Sequence, residues 1–196
     1  MDRFLRTPGL IPFLLLAFLN AFVDLGHKII IQNTLFKVYD GELQVILTAL
    51  VNGLILLPFV LLFTPAWFIA DRIPKPRVMR YSALAAIGLA LLITLAYYQG
   101  WFVVAFGMTF LLAIQSAFYS PAKYGFIKEL AGQEGLARSN ALVQAVTIIA
   151  ILSGIFLFSV FFEYALIGTT WRSEADILRQ IAPAGWLLVA CSILEY

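Results

Sequence analysis

Asp24, His27 and Lys28 stand at positions i, i+3 and i+4 inside an apolar run that begins at Leu10 and continues through Ile31. That spacing puts a carboxylate, an imidazole and an ammonium on one side of a helix. Ionisable groups are expensive in a lipid environment and there face a cavity or a partner helix. Asp24 can hold a cation or pair with Lys28, and the order of acid before base suits the helix dipole. At 1.5 Å per residue Asp24 lies about 21 Å into the run, a depth that favours a cavity-lining role. Lys28 sits nearer the outer end, within reach of the headgroups. His27 changes charge near physiological pH, but as a lone membrane histidine it reads first as a hydrogen-bonded packing residue.

The elements that must carry these groups follow from composition. Of 196 residues 62% are hydrophobic and only 12% charged, far from the balance of a soluble domain. Several apolar runs approach the roughly 20 residues that a helix needs to cross hydrocarbon. The fold class expected is therefore an all-α membrane protein. The pattern places helices at about 10–33, 45–70, 81–98, 101–119 and 139–162, with a sixth, 185–196, that is cut short halfway across. The N-terminal run has no small-x-small cleavage site and reads as a retained first span. Pro58 and Pro65 are expected to bend the second span. Ser82, Ala86, Ala90 and Thr94, four residues apart, form a small-residue stripe for close packing of the third. A polar connection is expected over 120–138, holding Lys123, Lys128, Glu129, Glu134 and Arg138. Ile177, Leu178 and Ile181 recur at helical spacing among charges, which suits a short helix at the membrane interface.

Lysine and arginine then set the orientation. Arg3, Arg6, Arg72, Lys75, Arg77, Arg80, Lys123, Lys128 and Arg138 fall on one side of the alternating spans, and Lys37, Arg172 and Arg179 on the other. The positive-inside rule makes the first side, N-terminus included, cytoplasmic. A net charge of +2 is too small to suggest a nucleic-acid partner. The single cysteine, Cys191, excludes an internal disulfide and a multi-cysteine metal site. No phosphate loop or paired-histidine metal motif is present, and neither cofactor nor metal is expected. An acyltransferase His-x-x-x-x-Asp signature fails as well, since His27 is followed by Gln32 at that spacing. Asn52, Gln115 and Gln144 are uncharged polar groups inside helices, suited to interhelical hydrogen bonds or, second, to substrate.

Two stretches carry a family resemblance. Ala70-Asp71-Arg72, followed by Lys75 and Arg77, resembles the loop motif of the major facilitator superfamily, with Trp67 where that motif has glycine and Pro74 within its second half. Tyr119-Ser120-Pro121-Ala122-Lys123-Tyr124-Gly125, then Glu129-Leu130 and Asn140-Ala141-Leu142, resembles the lysophospholipid transporter branch of that superfamily. So do Ala21, Phe22, Asp24 and Lys28, while Val23, Leu25 and Gln144 replace polar or acidic residues frequent in the branch. The resemblance implies that residues 1–196 are the N-terminal half of a secondary transporter, a six-helix bundle with its last helix truncated. It implies a bacterial inner-membrane location and a lysophospholipid substrate moved toward the cytoplasmic leaflet for re-acylation. Asp24, Lys28, Asn52, Gln115 and Gln144 would line the cavity. Asp71, Arg72, Lys75 and Arg77 would form a gating clamp, with Pro121, Lys123, Tyr124, Gly125 and Asn140 at the cytoplasmic mouth. The partners implied are the bilayer, the missing C-terminal half and an acyltransferase, which in related proteins is fused. Two other functions fit the same residues: a membrane anchor delivering substrate to such an acyltransferase, and an exporter of another amphipathic solute. None of the three makes this stretch an enzyme.

The orientation is directly testable. Single cysteines at Gly132 and Trp171, in a Cys191→Ala background, are expected to be cytoplasmic and external respectively. An impermeant maleimide applied to intact cells should then label the Trp171 position. Labelling mainly at Gly132 reverses the topology.

Overall fold

A computed structural model describes residues 8–196, the Glu134 side chain excepted; Arg3 and Arg6, counted above for orientation, lie outside the described residues. The described chain is helical nearly throughout and contains no strand. Helix α1, Leu10–Val38, starts after Gly9, whose φ of 87° only glycine adopts without strain. It runs five residues beyond the expected 33, so Asp24 sits at the middle of its 29 residues. Tyr39 and Asp40 make a short turn into α2, Gly41–Leu61. The second span breaks at Leu62 and resumes as α3, Phe63–Arg72. The break falls where Pro65 can occupy the first turn of a new helix, a position that needs no backbone donor. Leu62 N still donates to Pro58 O at 2.8 Å and Ala66 N to Leu62 O at 2.9 Å, so the break is a kink rather than a loop.

Helix α4, Lys75–Gln99, opens on Pro76 in its first turn and closes on Gly100 at φ 73°. Two long helices follow: α5, Phe102–Gln133, and α6, Gly135–Leu166. The expected polar connection over 120–138 is thus itself helical, apart from a reversal at Gly132 with φ 64° and ψ −176°. Lys128 and Glu129 are good helix formers, and Pro121 is carried inside α5. Its 32 residues make α5 about 48 Å long, longer than the ~30 Å of hydrocarbon. Then come α7, Glu174–Ile181, and α8, Pro183–Glu195, bent 56° from each other. Five helices are long and apolar enough to cross a membrane, or six if that bent pair counts as one span. The protein is a multi-pass α-helical membrane protein.

Close packing is glycine-dependent at two crossings. On α1 and α6, Phe158 fills the space where a Gly26 side chain would stand, and a Cβ on Gly154 would come within 3.1 Å of Phe22 O. The two rings meet at 5.4 Å between them. On α4, the stripe Ser82, Ala86, Ala90 and Thr94 is buried, and a Cβ on Gly185 of α8 would meet Thr94 at 2.6 Å. The small residues do serve packing. Helix α7 differs from its expected setting, because Ile177, Leu178 and Ile181 are fully buried in the protein core rather than turned to lipid. Its start is capped by Ser173, and Arg179 donates to Gln99 O at 3.1 Å, seating α7 on the α4–α5 turn. Helix α2 is the outlier, with only Val51 and Pro58 buried.

His27 ties three helices together. Its Nε2 lies 3.0 Å from Ala105 O, which can only accept, so Nε2 carries the hydrogen and Nδ1 accepts from the Tyr97 hydroxyl at 2.7 Å. Helix α1 is thereby fastened to α4 and α5 in the dry core. Tyr97→Phe removes one donor and strands a buried ring nitrogen, at a cost of about 1–3 kcal/mol. A lower melting midpoint in detergent is expected; a midpoint equal to wild type contradicts this clasp.

Candidate functional site

Helix periodicity assembles the site from two facing stripes. On α1, Asn20, Asp24 and His27 follow at i, i+4 and i+7; on α5, Thr109, Ser116 and Lys123 are seven residues apart. Both sets therefore lie on single faces. The helices run antiparallel, so His27 comes to Thr109, at 3.3 Å, while Ser116 Oγ donates to Asp24 Oδ2 one step further along. A third helix adds a second acid. Asn20 Nδ2 donates to Glu195 Oε1 of α8 at 3.1 Å, with both residues buried. Lys123 is buried too, its ammonium 5.9 Å from the Tyr119 ring and 5.1 Å from that of Tyr124. Asp24, Lys123 and Glu195 lie within electrostatic reach of one another. The result is two carboxylates and one ammonium inside a membrane bundle.

The cluster is incompletely satisfied by the protein. Glu195 Oε2 and the Tyr119 hydroxyl are buried without a hydrogen-bond partner among the described residues. Two small cavities reach it. Asp24 lines one of about 120 Å³ against Ile55 and Phe59 of α2 and Thr109 of α5. Glu195 and Tyr119 line another of about 230 Å³ that also touches Arg80 and Tyr196. Buried polar atoms without partners are costly, and a polar guest would find Asp24 in the first cavity and Glu195, Tyr119 and Arg80 in the second.

The other residues singled out in the sequence fall elsewhere. Lys28 is half-buried and makes no ion pair with Asp24; those among the described residues are Lys37–Glu163, Lys75–Glu129 and Asp176–Arg179. The Asp24–Lys28 pairing is replaced by Asp24–Ser116, since the carboxylate turns to α5. Asn52 bonds Thr48 O of its own helix at 2.9 Å. Gln144 is exposed and accepts from Tyr124 at 3.2 Å. Lys123 is no loop cation, because α5 continues through it. Of the loop motif, Asp71, Arg72 and Arg77 are exposed, while Lys75 reaches Glu129 at 3.6 Å. Lys75 passes directly over Gly125, where a Cβ would stand 3.1 Å from it, so the two sequence motifs touch at that glycine. Pro121 and Tyr124 line a cleft with Trp67. Asn140 keeps a buried Oδ1 without a partner among the described residues.

Comparison with curated proteins finds clear relatives. A protein from Photorhabdus laumondii named lysophospholipid transporter LplT is 40% identical over 100 residues, 50% of this chain and 23% of its own. One of the same name from Yersinia enterocolitica is 32% identical over 163 residues, 78% of this chain and 36% of its own. A third, from Serratia proteamaculans, is 38% identical over 91 residues, 44% of this chain and 20% of its own. The chain is similar to proteins named lysophospholipid transporters. The matches span about a third or less of those relatives' lengths. No protein-family model matches the chain, and no solved structure does.

Outside the spans, one further polar contact is notable. Tyr39 donates to Glu174, and that carboxylate, helped by burial, pushes the Tyr39 hydroxyl up to about 12. Tyr39 stays protonated and latches the α1–α2 turn to α7.

Proposed function

We propose that this bundle is one half of a secondary transporter of the major facilitator type, moving lysophospholipid across the bacterial inner membrane for re-acylation at the cytoplasmic leaflet. The observation that carries the reading is the cluster of half-buried Asp24 with buried Lys123 and Glu195, inside a membrane protein whose relatives bear a lysophospholipid transporter's name. A zwitterionic headgroup has complementary parts: its amine suits Asp24 or Glu195, and its phosphate suits Lys123. The unpartnered Glu195 Oε2 and Tyr119 hydroxyl leave room for those bonds. In this reading a second bundle completes the cavity, which the greater length of the relatives allows. The N-terminus is cytoplasmic, and Asp71 with the neighbouring cations locks one gating state against the second half. Asp24 belongs to the headgroup site, and Gln115, Lys28, Asn52 and Gln144 stand outside it.

The test is made in the intact transporter. Asp24→Asn should insert at wild-type levels yet lose most lysophospholipid uptake. Exchanging the charges in an Asp24→Lys/Lys123→Asp double variant should not restore it, because the headgroup reads both signs in place. Normal uptake by well-inserted Asp24→Asn removes Asp24 from the site. Recovery in the exchanged pair shows instead that the two charges only stabilise each other.

A further inference from the structure

Along the surface of the described bundle, α4 and α5 leave a groove of about 570 Å³ between them. Val78, Ala85, Gly88 and Leu92 of α4 face Leu111 and Phe118 of α5 across it. From Val78 to Leu92 it runs about 21 Å at 1.5 Å per residue, more than one leaflet of a ~30 Å hydrocarbon core. A Cβ placed on Gly88 meets nothing within 4 Å, so the glycine opens the groove rather than serving a helix contact.

Two polar features make the groove more than an apolar face. Gln115 lines it and is 5% exposed, yet its amide Nε2 has no partner among the described residues. A hydrocarbon chain alone cannot accept that hydrogen; an ester oxygen can. The groove also ends at the α3–α4 turn, where Arg72, Lys75, Arg77 and Arg80 outnumber the single carboxylate of Asp71. Lys75 is taken by Glu129, and Arg80 donates to the Tyr196 hydroxyl at 2.9 Å. Arg72 lies over the Phe68 ring, 4.1 Å from its centre. Arg77 is exposed and sits one helical turn before Tyr81, which lines the groove together with Ala85 and Gly88.

We propose that this groove binds one acyl chain of an anionic glycerophospholipid of the bilayer, with its phosphate at Arg77 and an ester oxygen at Gln115. The groove is a different cavity from those at Asp24 and Glu195, and only the Ser116–Gln115 contact at 3.1 Å adjoins it to that cluster; lipid binding there does not depend on what the protein transports. An arginine gives a phosphate a charge-assisted, two-pronged partner, and the leaflet-length groove gives the chain its apolar contact.

The experiment is lipid titration of the delipidated intact protein, followed by native mass spectrometry. Phosphatidylglycerol, phosphatidylcholine and lysophosphatidylglycerol are the three probes. Wild type should retain one phosphatidylglycerol in preference to phosphatidylcholine. Gly88→Leu, which fills the groove without a clash, should abolish that retention with an unchanged melting midpoint in lipid-free detergent. Ala85→Leu closes the groove from the next turn and should act alike if Gly88→Leu folds poorly. Arg77→Gln should erase the preference for phosphatidylglycerol, an affinity loss of about tenfold or more for a charge-assisted bond. Gln115→Leu should weaken both two-chain lipids. Retention of phosphatidylglycerol by both groove-filling variants overturns the proposal, as does equal retention of phosphatidylcholine by wild type. Preferential capture of lysophosphatidylglycerol also overturns it, and gives the groove to the single-chain lipid.

Discussion

Hydrocarbon offers no hydrogen bonds, so a polar side chain drawn into this bundle is met by its own helix backbone, by another helix or by a guest. That constraint explains most of the arrangement. His27 is met by Tyr97, Ala105 and Thr109, and it fixes the rotation of α1 about its axis. Once that rotation is fixed, Asn20 and Asp24 on the same face have no choice but to look toward α5 and α8. There they find Ser116, Lys123 and Glu195. Among the described residues the supply of partners then runs out, and an oxygen of Glu195 and the hydroxyl of Tyr119 remain without one.

Such a cluster is a poor way to stabilise a fold. Burying charges costs several kcal/mol per ion before any attraction is recovered, and apolar side chains of the same size would often do better. The glycine crossings of α1 with α6 and the small-residue seam between α4 and α8 already supply the close packing. Cost without structural return is the reason to read the cluster as working groups. The exposed surface fits the same picture. Large apolar residues such as Val60, Val103 and Tyr164 are open along the outer helices, which in lipid carries no penalty.

Much of the fold was legible because hydropathy and length report directly on spanning helices. The five principal spans, the bend near Pro65 and the packing stripe on α4 could all be read from residue type and spacing. Helix ends were less legible, since charged residues that favour loops also favour helices; α5 runs on through Lys123 and Lys128 for that reason. Helix α7 misled because an amphipathic segment has the same pattern whether its apolar face meets lipid or protein. The site was half legible. Asp24, Gln115 and Lys123 stood out as polar residues among apolar ones, but Lys123 was placed in a loop. Ser116 and Asn20 looked ordinary, and only the seven-residue spacing of Thr109, Ser116 and Lys123 would have pointed to them. Glu195, the one acid in the apolar run of α8, was the plainest signal missed. Tertiary pairing decided the rest: no sequence rule says that Asp24 prefers a serine on α5 to the lysine one turn away.

The central claim is that Asp24 faces a space that substrate enters. It is tested most directly by placing a single cysteine beside Asp24, Ile55→Cys on the wall of the same cavity, in a Cys191→Ala background of the intact protein, and following its modification by a small thiol reagent in membranes. The account predicts that the cysteine reacts, and that a lysophospholipid with an ethanolamine headgroup slows the reaction while a bulk diacyl lipid does not. A cysteine that stays unreactive, or reacts at the same rate with and without lysophospholipid, contradicts it.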